Sequence, residues 1–194
     1  MKIHASNLRV YLKTFDLVEA DRLAENANDY DIAYNIARIG DFPYPYQKSD
    51  ALYFVEAAIQ KFYAKSEFHF GIHTQETGLM GACVIKNIDF DNKKAEIGYW
   101  IGKKYWGRGY AKEALRLLIS FGFNFIDLNK IYALTFAFNE RSINLLNSLN
   151  FSKDGTLRQN VLQADKFIDE SLFSLLKNDC KDDIKLEISD VQKR

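Results

Sequence analysis

An alternating segment in the middle of the chain most constrains the fold, because its hydrophobic period is two. Phe68, Phe70 and Ile72 alternate with polar or small residues, and Thr77-Gly78 and Asp91-Asn92 are turn signals. Strands joined by such short turns pair antiparallel. The pattern therefore predicts a three-stranded meander, with strands over residues 68–73, 79–86 and 95–101.

Helical spacing flanks this meander on both sides. Residues 17–28, 53–61 and 111–125 repeat apolar positions at intervals of three and four, which predicts helices. Residues 41–50 hold both prolines and are expected to be extended, and Ser49 is placed to cap the helix that follows. The remaining predicted elements are strands at residues 8–15, 131–138, 151–162 and 167–176 and a short helix at residues 139–149.

This order of elements predicts an α+β fold. We expect one domain, residues 1–177, with a central mixed, mostly antiparallel twisted sheet of about seven strands flanked by about four helices. The charged tail, residues 178–194, alternates Ile184, Leu186 and Ile188, so it is either an extra edge strand or a frayed end.

Composition narrows the function. Twenty-six basic residues balance twenty-six acidic ones, so nucleic-acid binding is not expected, because neutralising phosphates needs a basic surplus. Cys83 and Cys180 form no CxxC pair, and His69 and His73 lie four apart on a predicted strand, so no metal site is expected. The N-terminus is polar and no apolar run is long enough for a membrane span, which indicates a cytoplasmic protein.

A cationic, glycine-rich stretch, KKYWGRGYAKEAL at residues 103–115, precedes one predicted helix. The first N–H groups of a helix lack intrahelical partners and lie at its positive end, where they bind phosphate. Gly107 and Gly109 let an anion approach the backbone, and the surrounding cations are Lys103, Lys104, Arg108 and Lys112. By local physics alone the stretch is either a phosphate cradle or a tight turn.

The wider sequence resembles the GNAT superfamily of N-acetyltransferases. AEIGYWIGKKYWGRGYAKEAL and the later NERSINLLNSLNF are similar to the subgroup of ribosomal-protein N-terminal acetyltransferases. The signature R/Q-x-x-G-x-G/A falls on residues 106–111, with Trp106 at a first position where the subgroup often has an aromatic residue. The likeness covers most of residues 8–177 and implies a GNAT-like fold.

The resemblance implies acetyl-CoA as co-substrate. Its pantetheine arm is expected to pair with the strand that ends at Ile101, where a backbone N–H stabilises the tetrahedral intermediate by about 3 kcal/mol. Asn139 is alternatively a plain helix N-cap, and Ser142 a plain first-turn residue. The expected cofactor-binding residues are Tyr99, Ile101, Trp106, Gly107, Arg108, Gly109, Tyr110, Ala111, Asn139 and Ser142.

The family's reaction is direct attack of an amine on the thioester, which needs a proton acceptor and help for the departing thiolate. Alternation places Glu96 beside Gly98 and Trp100 on one strand face, and we expect it to be the acceptor. It is otherwise a structural or cross-strand charge, and Asp169 and Glu170 are rivals.

Many superfamily members assist the thiolate with a tyrosine on the short helix. The resemblance aligns that position with Leu146, so the tyrosine is absent, and Ser142 is the substitute that the subgroup offers.

The acceptor is expected near the proline loop, where Tyr44 and Tyr46 are either an aromatic wall of the cleft or core residues. The subgroup implies the N-terminal α-amine of a protein or peptide. A small amine (polyamine, amino acid or antibiotic) and a non-catalytic acyl-CoA-binding module remain alternatives. A homodimer is also left open by the resemblance.

Overall fold

The computed structural model describes residues 1–36, 42–163, 165–182 and 184–189. The strands are β1 (Lys2–His4), β2 (Val10–Lys13), β3 (Phe68–Thr74), β4 (Gly78–Asp89), β5 (Lys94–Ile101), β6 (Lys130–Phe136), β7 (Ser152–Gln163), β8 (Lys166–Leu176) and β9 (Glu187–Ser189). The helices are α1 (Ala20–Ala27), α2 (Tyr30–Ile36), α3 (Lys48–Tyr63), α4 (Tyr110–Asn124) and α5 (Glu140–Ser148).

A single sheet joins the nine strands of the described residues, in the order β7-β8-β6-β5-β4-β3-β2-β1-β9. Every neighbouring pair is antiparallel except β5 and β6, which are parallel. The prediction of an α+β fold with a mixed, mostly antiparallel sheet is therefore confirmed, and the described strands and helices slightly exceed the predicted numbers.

The sequence missed β1 and α2. β1 has three residues and pairs with β2 on one side and β9 on the other, so it is too short to show an alternation. α2 follows Asp29, whose carboxylate accepts hydrogen bonds from the N–H groups of Asp31 (2.9 Å) and Ile32 (3.4 Å). In the tail, Glu187–Ser189 takes the edge position beside β1.

The predicted cap of α3 was wrong, because Ser49 does not cap this helix. Gln47 is the N-cap, and its N–H donates to Asp50 Oδ2 at 2.7 Å in a capping box. After α5, Asn150 has φ 63°, a left-handed conformation that Asn tolerates at a helix end. Residue 41 of the predicted loop lies outside the described residues.

Helices cover both faces of the sheet. Strand alternation sends Cys83 of β4 into the large core cluster that contains α4, and Ala82 into the smaller cluster that contains α1 and α3. Leu118 of α4 and Leu23 of α1 are fully buried in these two clusters. The sheet is therefore the middle of three layers.

The central strands β5 and β6 pair over three residues only, from Lys94 to Glu96. β5 then continues to Ile101 with β4 as its partner, while β6 stays paired with β8 as far as Phe136. The sheet is therefore split between β5 and β6. One edge of β5 is open inside the domain.

Phe121 of α4 tests how much stability the packing of this helix contributes. Its ring is fully buried and meets the rings of Phe68 and Phe70 edge-on, at centroid distances of 5.5 and 5.4 Å. Because it leaves a core cavity, Phe121→Ala is expected to lower the free energy of unfolding by about 3–5 kcal/mol, measured by urea unfolding.

Phe125→Ala is the matched control. Phe125 stacks on Phe121 at 4.9 Å but is 56% exposed, so its truncation is expected to cost less than about 1.5 kcal/mol. Equal losses in the two variants would contradict the assignment of Phe121 to the stabilising core.

Candidate active site

The glycine-rich stretch forms a turn that leads into α4. After a 3-10 turn at Lys103–Tyr105, Gly107 and Gly109 have positive φ angles of 72° and 81°, which residues with a Cβ rarely adopt. Gly109 is the N-cap of α4, and because it has no side chain it cannot cap the helix with one. The N–H groups of the first turn of α4 are therefore left for an anion.

Arg9 braces this turn from outside. Its guanidinium donates to the backbone oxygen of Arg108 (2.9 Å) and pairs with Glu113 in the first turn of α4. Glu113 also accepts the backbone N–H of Arg9 at 2.8 Å. The hydrogen bond to Glu113 raises the pKa of Arg9. The brace holds the turn and pairs Glu113, the acidic residue in the first turn of α4.

The basic residues predicted around the turn do not all face the cavity beside it. Lys103 contacts Asp31 at 2.6 Å and Asp29 at 3.8 Å, and the hydrogen bond to Asp31 raises the pKa of Lys103. Lys103 therefore ties α2 to the turn rather than facing a ligand. Arg108 is exposed, whereas Lys112 lines the adjacent cavity.

The open edge of β5 presents backbone donors to the same region. Gly102 N–H donates to Met80 O of β4 at 2.9 Å. Because successive residues of a strand point their backbone groups in opposite directions, the N–H groups of Tyr99 and Ile101 point away from β4, into the split. The carbonyl of Ile101 accepts Trp106 Nε1–H at 2.8 Å, so Trp106 fixes the end of the strand.

A cavity of about 560 Å³ occupies the split and reaches the glycine turn. Among the predicted site residues, Arg108, Tyr44, Tyr46 and the rival Asp169 do not line it. The predicted residues in its wall are Glu96, Tyr99, Ile101, Trp106, Gly107, Gly109, Tyr110, Ala111, Asn139, Ser142 and the rival Glu170.

Ser142 and Tyr99 meet in this wall. The Tyr99 hydroxyl lies 2.8 Å from Ser142 Oγ, so a strand and a helix each contribute one hydroxyl. Burial raises the pKa of Tyr99 to about 12. Leu146, where the superfamily tyrosine would stand, is fully buried in the core.

Asn139 is the N-cap of α5, which was one of the two roles expected for it. Its Oδ1 accepts Ser142 N–H at 3.1 Å, and its Nδ2 donates to Asn35 O of α2 at 3.1 Å. Asn139 thereby fixes the first turn that carries Ser142, while it also lines the cavity.

Glu96 lines the cavity with both carboxylate oxygens engaged. Oε1 lies 3.1 Å from Lys86 Nζ, its cross-strand neighbour, and Oε2 accepts Asn87 Nδ2–H at 2.8 Å. The alternative of a cross-strand charge therefore describes its contacts.

Glu170 of β8, a predicted rival, is buried in the same wall. One of its oxygens, Oε2, accepts Asn160 Nδ2–H at 2.6 Å, and the described residues give Oε1 no hydrogen bond. The other rival, Asp169, accepts Gln159 N–H at 2.7 Å at an exposed position and does not line the cavity.

The acceptor prediction for Tyr46 needs correction. Tyr46 is 6% exposed and packs in the core against Phe42 at a centroid distance of 4.8 Å, where burial raises its pKa to about 12. Of the two expected roles, wall of the cleft or core residue, Tyr46 therefore has the second. Tyr44 lies at the surface, 54% exposed, against Tyr30 of α2.

The sequence also missed the α2 side of the cavity. Ile32, Asn35 and Ile36 line it. The signal was Asp29, a capping residue placed just before the short run YDIAYNI. Lys86 was missed because its pairing with Glu96 depends on a register that the turn sequence does not fix.

Two negative findings concern the described residues alone. No group of three or more His, Cys, Asp or Glu side chains among them is arranged to hold a metal ion. Each helix in this part of the chain is too short or too polar to cross a bilayer.

Comparison with known proteins defines the class. Residues 9–152 match the acetyltransferase (GNAT) domain family. The chain is 36% identical over 172 residues to p20 of Bacillus licheniformis, an uncharacterized N-acetyltransferase. These residues are 88% of this chain and 94% of that protein. The protein therefore belongs to the GNAT family of acetyltransferases, and it is an N-acetyltransferase.

Two further similar proteins have different acceptors in their names. A spermidine N(1)-acetyltransferase of Escherichia coli K12 is 31% identical over 77 residues, which are 40% of this chain and 41% of that protein. The solved structure of RimL, a ribosomal L7/L12 α-N-protein acetyltransferase in complex with coenzyme A, superposes with a TM-score of 0.83. It shares 17% identity and covers 92% of this chain and 99% of that one, so it supports the fold alone.

Gly109→Glu tests the glycine turn as the pyrophosphate site. The carboxylate would put a negative charge beside the free N–H groups, so the rise in melting temperature that acetyl-CoA gives the wild-type protein is expected to vanish. Thermal unfolding with and without millimolar acetyl-CoA measures it.

Gly109→Asn is the control, because Asn tolerates the left-handed conformation and carries no charge. It is expected to keep most of the acetyl-CoA shift. If the Glu variant also keeps the full shift, the turn does not hold the cofactor.

Proposed function

We propose that this protein transfers the acetyl group of acetyl-CoA to the N-terminal α-amine of a peptide or protein. The observation that carries the proposal is a row of aromatic side chains running from the cavity to the surface. We call this set the aromatic row: Phe136, Phe138, Tyr34, Tyr30 and Tyr44.

The aromatic row is continuous, with a buried ring at its inner end and exposed rings beyond it. Phe136 is buried and lines the cavity, Phe138 is 39% exposed, and Tyr30 is 58% exposed. Successive ring centroids lie 5.2–5.8 Å apart. An amine no larger than the cavity leaves these rings uncovered, whereas an extended peptide, at about 3.4 Å per residue, continues along them.

Charge disfavours the polyamine alternative. A polyamine needs an acidic cleft, because each of its amines is cationic near neutral pH. The charged residues described around the cavity are Lys86, Lys112 and Arg141 against Glu96 and Glu170. The wall therefore has no acidic excess to hold several ammonium groups.

The chain's own groups account for the chemical steps. Bound acetyl-CoA supplies the thioester that the amine attacks. The N–H of Ile101, directed into the split, is the proposed donor to the carbonyl oxygen as it becomes negative, and Ser142 is the proposed donor to the departing sulfur.

We assign the proton acceptor to Glu170 in preference to Glu96. Glu170 has one oxygen without a partner among the described residues, whereas both oxygens of Glu96 are occupied by Lys86 and Asn87. A free oxygen can take the amine proton directly or through a water.

Glu170→Gln is expected to lower kcat about 100-fold or more, because the amide cannot accept the amine proton. Glu96→Gln is expected to lose less, since its carboxylate already pairs with Lys86. A larger loss of kcat in Glu96→Gln than in Glu170→Gln would return the role to Glu96.

An acceptor panel tests the proposed function, with free CoA release as the readout. The panel contains a lysine-free peptide with a free N-terminus, an N-acetylated peptide with an internal lysine, spermidine and an amino-acid amide. The first peptide is expected to react fastest. Preference for spermidine would support the small-amine alternative, and thermal stabilisation by acetyl-CoA without any CoA release would support a binding module.

Tyr30→Ala probes the aromatic row within that assay. Loss of one aromatic contact is expected to raise KM for the peptide about three- to tenfold and to leave KM for the amino-acid amide unchanged. Tyr53→Ala is the matched control, since Tyr53 of α3 is 77% exposed and lies outside the row. Equal effects on both acceptors would remove the row from peptide binding.

A further inference from the structure

We infer that Tyr99 is a positioning residue that directs the hydroxyl proton of Ser142 toward the departing sulfur. The inference rests on the proposed role of Ser142 and does not depend on the acceptor class. The observation behind it is the hydroxyl pair, with Tyr99 Oη 2.8 Å from Ser142 Oγ.

The pair has few other partners. The backbone N–H of Ser142 donates to Asn139 Oδ1, and no other described residue hydrogen-bonds to the hydroxyl of Ser142 or of Tyr99. Each hydroxyl has one proton and can also accept. The shared bond therefore runs either from Tyr99 to Ser142 or from Ser142 to Tyr99.

The two directions differ in what they leave exposed. If Ser142 donates, no described residue accepts the phenol proton of Tyr99, and the serine proton is not available to a ligand in the cavity. If Tyr99 donates, its proton is satisfied and the serine proton is free to point into the cavity. The second direction is therefore favoured once negative charge develops on the sulfur.

Protonation keeps Tyr99 in this role. Because burial holds the pKa of Tyr99 near 12, the phenol stays a donor at neutral pH. Donation from Tyr99 polarises the serine O–H and strengthens the hydrogen bond that Ser142 makes to the sulfur. No proton leaves Tyr99, so the amine proton still goes to the carboxylate and the thiolate is stabilised by hydrogen bonding.

The phenol beside Ser142 comes from a strand and not from helix α5, where many superfamily members carry a tyrosine. Leu146 of α5 is fully buried and does not line the cavity. Tyr99 comes instead from β5, one residue before Trp100. The hydroxyl pair thus joins the open strand edge to the first turn of α5.

A double-mutant cycle with Tyr99→Phe and Ser142→Ala tests the inference, using the amine that the wild-type enzyme acetylates fastest. Tyr99→Phe is expected to lower kcat about three- to tenfold, the worth of one hydrogen bond, and to leave KM for acetyl-CoA within about twofold. In the Ser142→Ala background the same change is expected to cost nothing further, because Tyr99 acts through the serine.

Two further variants serve as controls. Ser142→Thr retains a hydroxyl and is expected to retain the Tyr99 dependence. Tyr132→Phe removes a phenol from neighbouring β6, outside the cavity, and is expected to change nothing. Acetyl-CoA-induced thermal stabilisation shows which variants are folded and bind the co-substrate.

Specific outcomes overturn the inference. Wild-type kcat in Tyr99→Phe would do so, as would an equal loss in the wild-type and Ser142→Ala backgrounds. A raised KM for acetyl-CoA with unchanged kcat would make Tyr99 a binding residue. Failure of the wild-type enzyme to acetylate any peptide, with turnover on a small amine, would overturn only the proposed acceptor.

Discussion

The three-residue pairing of β5 with β6 is the constraint on which the rest of the site depends. Backbone hydrogen bonds normally continue along neighbouring strands, because an unpaired buried N–H is costly. Here β5 keeps its partner on one side and β6 keeps β8 on the other, so the split is held open by the two half-sheets. The open edge of β5, as far as Ile101, can then receive a ligand's polar groups where a strand would otherwise lie.

The split also brings the two faces of β5 into one cavity. Trp100 packs with the α1 and α3 cluster, whereas Tyr99 packs against the α4 cluster and reaches Ser142. In an intact sheet these side chains would be separated by the backbone layer. Because the sheet is open here, side chains from both faces of β5 line the same cavity.

Sequence reasoning predicted the fold and the glycine turn better than the contacts of the candidate catalytic residues, and the difference has a physical cause. The period-two meander and the helix starting after Gly109 depend on local pattern, so both were recoverable. The pairing of Glu96 depends on register. An irregularity between Lys86 and Asp89 shifts β4 against β5 by one residue, so counting from the turn gives the wrong partner. The Tyr99–Ser142 contact joins elements 43 positions apart and has no local signature.

The neutral composition of the chain is compatible with a polyanionic ligand, because a helix N-terminus offers backbone N–H groups and needs no surplus of side-chain charge. Arg9 is paired with Glu113 and Lys103 with Asp31, so much of the local cationic charge is already compensated. The group left open at the glycine turn is the first turn of α4, whose dipole attracts an anion most strongly at short range. A phosphate held there would be selected by its fit to fixed N–H groups. Trp106, the largest side chain of the turn, fixes the position of those groups by fastening the turn to Ile101.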